Sequence, residues 1–126
     1  MRKPHALHNK ELCELLLANG KFNDWVITTA FYSALNFVKH EIFPLKFNGK
    51  DYDDFDKYFR AECANIDKHQ ALKYLVCKHM DTCGGPYRWL LDECKTARYN
   101  NNVVSKPIAE RAYQYLKAIQ GACKKK

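Results

Sequence analysis

The sequence predicts an all-α protein, an up-and-down antiparallel bundle of four to five helices that forms one domain over residues 1–126. Three observations carry that expectation. Apolar residues recur at three- and four-residue steps in successive stretches, and none of them alternates as a half-buried strand would. Helix-ending punctuation separates the stretches, at Gly20, Pro44, Gly84-Gly85 and Asn100 to Asn102. At 126 residues and 14.8 kDa the chain can bury about two-thirds of its unfolded surface, enough for a real core.

The first helix is expected from about Asn9 to Asn19, with Leu12, Leu15, Leu16 and Ala18 buried and Gly20 ending it. Asn23 is a suitable N-cap for the second, with Phe22 and Ile27 as a hydrophobic staple across it. That helix runs to about Phe43, is apolar nearly all round, and so reads as the central member of the bundle. Residues Leu45 to Asn65 read as irregular, with a short amphipathic helix built around Tyr52, Phe55, Tyr58 and Phe59.

Asp67 and Gln70 form a capping-box-like pair for the next helix, which buries Ala71, Leu72, Leu75, Val76 and Met80 and closes at Gly84-Gly85. Pro86 sits where the following helix starts, with Tyr87, Leu90, Leu91, Cys94 and Ala97 inward. Ser105 caps the last helix, Pro107 lies in its first turn, and Ile108, Ala112, Tyr115, Leu116 and Ile119 form its stripe.

Composition narrows the setting. Mean hydropathy is -0.54, and the apolar stretch Trp25 to Phe43 is broken by Thr28, Thr29, Ser33, Asn36, Lys39, His40 and Glu41, so no membrane span is expected. Residues Met1 to Lys10 show no apolar region of a signal peptide. The six cysteines therefore read as reduced, buried thiols in a cytoplasm. A net charge of +7 and a pI of about 9.1 favour polyanions, nucleic acid above all, although Lys124, Lys125 and Lys126 supply three of those charges as a solvated tail.

Few chemical motifs survive inspection. The scattered glycines form no phosphate-cradling loop. Cys77 and His79 face different ways on a helix, so with Cys83 they make a poor zinc site, and no metal or cofactor is expected. Asp51, Asp53, Asp54 and Asp56 resemble a calcium loop only until Phe55 and Asp56, which stand where an oxygen ligand and a glycine are needed. They read instead as the solvated start of a helix.

Two polar features remain. Thr29, Ser33, Asn36 and His40 lie on one narrow face of the central helix, which either faces solvent or lines a cleft. Lys95, Arg98, Tyr99 and Asn102 share a face near the end of the fourth helix. Arg98 there is either paired with a carboxylate or presented to an anion such as phosphate.

Taken together, the run AFYSALNFVKHEIF (Ala30 to Phe43), a histidine opening the third long helix (His69) and the closing run CKTARYNNNVVSKPIAERAYQYLKAI (Cys94 to Ile119) resemble HEPN domains. The resemblance covers most of the chain from Asn9 to Ile119. It implies a helical bundle that commonly forms homodimers, with RNA-directed function in toxin–antitoxin or phage-defence systems. An antitoxin or nucleotidyltransferase-like protein is an implied partner. Many such domains are metal-independent ribonucleases with an arginine, then four to six intervening residues, then a histidine.

Here the positions after Arg98 are Val103, Val104 and Ser105, and putting Tyr99 in the histidine's place leaves Cys94 in the arginine's. Histidine titrates at about 6.5 and can act as base or acid, whereas tyrosine at about 10 is a poor base. The expectation is therefore RNA binding or weak cleavage, with Arg98 and Tyr99 as candidate catalytic residues. Lys95, Arg98, Asn100, Asn102, Asn36 and His40 are the candidate RNA contacts. The alternative is a non-catalytic dimerisation or partner-binding subunit. A metal-dependent enzyme built on the aspartate-rich segment is the remaining reading.

Overall fold

The computed structural model describes residues 3–99 and 104–125, the side chains of Arg98 and Tyr99 excepted. It is mostly helical, as expected. The elements are α1 (Lys3–Asn19), α2 (Asn23–Ile42), β1 (Leu45–Phe47), β2 (Lys50–Tyr52), α3 (Phe55–Glu62), α4 (Lys68–His79), α5 (Gly84–Tyr99) and α6 (Lys106–Ala122), with a 3-10 turn over Asp81–Cys83.

Helix α2 is the hub. It packs on α1, α4, α5 and α6, and its Val26, Ile27, Ala30, Phe31, Ala34 and Val38 are essentially inaccessible to solvent. An apolar surface nearly all round the helix can be satisfied only by neighbours on most sides. Its first helical residue is Asn23 and the capping position is Phe22, whose side chain is exposed, so the expected cap and staple do not form. Asn23 Nδ2 instead donates to the Val104 carbonyl at 3.1 Å and ties the start of α2 to the approach to α6.

Helix α1 begins six residues before the expected start and presents a different face. Ala6 and Cys13 are fully buried, Leu16 and Leu17 partly so, whereas Leu12 and Leu15 are 41% and 64% exposed. Small residues two turns apart let the two helices come close. Ser33 Oγ donates to the Ala6 carbonyl at 2.7 Å, and Cys13 Sγ lies 3.5 Å from the Val26 carbonyl. Tyr113 donates its hydroxyl to Glu14, which links α6 to α1 and pushes the phenol up to about 12. Gly20, at φ 79, ends α1 with its N–H on the Leu16 carbonyl.

The expectation of no strands is corrected by a small hairpin. Strands β1 and β2 pair antiparallel with Leu45 opposite Tyr52 and Phe47 opposite Lys50. Asn48 and Gly49 turn the chain at φ 51 and 77, the left-handed pair that a two-residue hairpin needs. Strands of three residues are too short to show alternation, and only Asn-Gly marks them in the sequence.

Beyond the hairpin, Asp54 caps α3 by accepting from the Lys57 N–H at 2.9 Å, which is the role expected of that acidic run. Tyr58 then meets Phe43, Phe47 and Tyr52 with ring centroids 5.4–6.0 Å apart, a satellite aromatic core beside the bundle.

Asp67 caps α4 through the Gln70 N–H at 3.3 Å, and Ser105 caps α6 through the Ile108 N–H at 3.4 Å. Gly84 and Gly85 open α5 rather than close α4, which already ends at His79. A Cβ on Gly84 would lie 3.1 Å from Cys77 Sγ, so a glycine suits this close approach of α4 and α5. Helices α5 and α6 bury Tyr87, Leu90, Leu91, Cys94, Ala109, Ala112, Leu116 and Ile119, close to the expected stripes.

The expected solvated tail is tied down in part. Glu41 accepts from the Lys124 and Lys125 N–H groups at 3.0 Å each, and Lys125 Nζ donates to the Phe43 carbonyl at 2.9 Å.

Two outcomes follow from this packing. Leu116→Ala removes a fully buried side chain and is expected to cost about 2–5 kcal/mol, whereas Leu15→Ala should stay within about 0.5 kcal/mol. Urea unfolding decides it, and comparable losses at both positions would contradict the described α1 face.

All six cysteines are free thiols, and Cys77 is exposed, against the expectation that all would be buried. Burial pushes the Cys13 thiol up to about 11 and Cys123 up to about 12, and raises Cys83 as well. A thiol reagent at about pH 8 should therefore modify Cys77 rapidly and those three only on unfolding. Equal rates at all four, read by peptide mass spectrometry, would refute it.

Candidate functional site

The polar stripe of α2 does not form an open surface along its length. Thr29 and Ser33 are buried on the side that α1 covers, and Thr29 Oγ1 turns back to the Trp25 carbonyl at 2.8 Å. Asn36 is 8% exposed and donates Nδ2 to the Tyr32 carbonyl at 3.0 Å. His40, at the far end, lines a cavity of its own with Lys39, Phe43, Asp54 and Phe55 among its neighbours.

The stripe of α2 left partly accessible is instead Trp25, Thr28, Tyr32 and Lys39, with buried Leu35 on the same line, at alternating steps of three and four residues. Three concavities run along it and all include Tyr32. The first lies between Trp25, Thr28 and Ala97. The second is walled by His69 of α4 and by Leu91, Cys94 and Lys95 of α5. The third continues past Leu35 and Lys68 to Lys39 and Phe55. Their volumes, about 420, 350 and 410 Å³, suit a base or other small planar group. At 1.5 Å rise per residue, the stripe from Trp25 to Lys39 is about 21 Å long.

Aromatic rings and cations both line this groove. Trp25 is 55% exposed, and Tyr32 is half-buried with its ring 5.2 Å from that of Phe31. The His69 ring meets the same Phe31 edge-on at 5.5 Å, which fixes its place at the start of α4. Lys39 Nζ lies 5.1 Å over the Phe55 ring, and Lys68 Nζ lies 5.6 Å over Phe59 and 3.6 Å from Asp56. Lys95 is exposed on α5. Two acids, Asp24 and Asp67, belong to the same walls, so positive charge gathers toward Lys39 and Lys68 and not beside Trp25.

Of the residues expected from sequence, the structure places Lys95 in this groove, Asn36 in the interior and His40 in the adjoining cavity. The backbone of Arg98 and Tyr99 closes α5, with Arg98 three residues beyond Lys95 and four beyond Cys94. Their side chains lie outside the described residues, as do Asn100 and Asn102.

Sequence reasoning did not assign Trp25, Tyr32, Lys39 or Lys68 to a site. A readable signal existed in the tryptophan, tyrosine and lysine spaced along one face of an otherwise apolar helix. Among the described residues no three histidine, cysteine or carboxylate side chains converge to hold a metal ion, and no helix is long and apolar enough to cross a membrane. Comparison with family models, curated proteins and solved structures finds no match to this chain.

Proposed function

We propose that the groove along α2 binds single-stranded RNA. The observation that carries this reading is that Trp25, Tyr32 and His69 line three concavities sharing Tyr32, two of which also hold Lys39, Lys68 and Lys95. Unpaired bases stack on aromatic faces while lysines follow the phosphates, the combination that suits a single strand better than a duplex. The net charge of +7 supplies long-range attraction. The resemblance to HEPN domains supports the same substrate class, and with it a setting in toxin–antitoxin or phage defence.

Weak metal-independent cleavage belongs to the same reading, because His69 and Lys95 line one concavity. An imidazole can take the 2′-hydroxyl proton while a lysine offsets charge on the phosphate. The second reading, a homodimer or a partner-binding subunit, is favoured by the exposed Leu7, Leu12 and Leu15 on the outer face of α1.

Trp25 makes the proposal directly measurable. Single-stranded RNA titrated in EDTA should quench fluorescence that Trp25→Phe removes. Lys68→Ala with Lys95→Ala should weaken binding and shallow the slope of log affinity against log salt by about 0.7 per lysine. Wild-type affinity and slope in that double variant would rule the groove out. RNA products in the same samples, lost in His69→Ala, would add catalysis to the reading.

A further inference from the structure

A fourth cavity, of about 320 Å³, lies where α1 begins, α2 ends and α3 begins. Its charged groups come from separate elements. His5 is from α1, Lys39 and His40 are from the end of α2, and Asp53 and Asp54 are from the segment that leads into α3. His40 Nε2 is buried and has no hydrogen-bond partner. That nitrogen is closed to solvent, so a ligand in the cavity meets it only if the His40 ring turns. Lys39 and Phe55 line both this cavity and the groove, so a strand lying in the groove runs on into it.

The mixed lining selects the ligand. A simple anion meets two carboxylates, and a simple cation meets a lysine. A bare nucleobase finds no open aromatic face, since Phe43 and Phe55 are 7% and 2% exposed. A ribose phosphate carries both complements. Vicinal hydroxyls donate to carboxylates, and a phosphate accepts from lysine and imidazole. Asp54 uses one oxygen to cap Lys57, and Asp53 lies 3.5 Å from Lys57 Nζ, which leaves carboxylate oxygen for such donors.

We infer that this cavity takes the 3′-terminal nucleotide of the bound RNA, with its free 2′,3′-diol on Asp53 and Asp54 and its 5′-side phosphate on Lys39 and His5. The assignment rests on the groove reading, and it sets the polarity of the strand: the 3′ end lies beside α3 and the upstream nucleotides run toward Trp25.

One oligoribonucleotide, prepared with a 3′-hydroxyl or a 3′-phosphate end, tests it. The hydroxyl form should bind about tenfold tighter, the ordinary size of a charge-assisted hydrogen bond set against charge repulsion. Asp53→Asn with Asp54→Asn should erase the difference, and because asparagine is itself a good N-cap the variant retains α3. His5→Ala, at an exposed position, should weaken the hydroxyl form with no risk to the core.

Equal affinity of the two ends, with the Lys68 and Lys95 variants still impaired, would overturn the end assignment and leave the groove standing. Adenosine 5′-monophosphate presents the same diol and phosphate from a free source. If it binds while the RNA ends are not distinguished, the cavity belongs to a free nucleotide and the RNA-end assignment fails.

Discussion

The hydrogen bond from Ser33 to the Ala6 carbonyl, made at 2.7 Å between two fully buried residues, marks the contact on which the arrangement depends. An α-helix interior leaves no free carbonyl for a neighbour's hydroxyl except as a second acceptance, so this bond needs the two backbones close together. Ala6 and Cys13 on α1, with Ala30 and Ala34 on α2, provide the small side chains that close approach requires. Once α1 covers the serine side of α2, the other sides are shared among α4, α5 and α6. They seal the side opposite the serine and leave Trp25, Thr28, Tyr32 and Lys39 partly uncovered between neighbours. The groove follows from which faces those neighbours occupy.

The electrostatics of the groove follow from the same crowding. Lysines around it do not simply point into water: Lys39 lies over Phe55, and Lys68 over Phe59. Lys78 sits over Phe47 on the hairpin at 5.9 Å. A cation held on an aromatic face has given up part of its rotamer freedom before any ligand arrives. The satellite aromatic core around Tyr58 thus packs the hairpin and α3 against the bundle and also supplies faces over which these charges settle.

Three helix starts and the last two helices are legible in the sequence for plain physical reasons. Asp54, Asp67 and Ser105 each accept a backbone N–H at a helix start, a local interaction that three or four residues encode. The stripes of α5 and α6 stood out because charged residues occupy the opposite faces. Helix α1 was misread because leucine was taken as buried by type, whereas the closeness of two backbones selected alanine and cysteine. Helix α2 could not disclose its open side at all. It is apolar nearly all round, and which strip stays uncovered depends on neighbours distant in sequence. For the same reason Lys95, at a helix end rich in polar residues, is legible as an exposed candidate and Tyr32 is not.

The hairpin carries a consequence for association. A two-stranded sheet has unpaired outer edges, and such edges can recruit strands from other molecules. Here each strand has three residues, and Lys46, Lys50 and Asp51 stand exposed along them. An incoming strand would find few backbone groups to pair with and charge beside most of them. The turn set by Asn48 and Gly49 keeps the ribbon short, so this one patch of sheet in a helical protein is guarded against growing into a larger one.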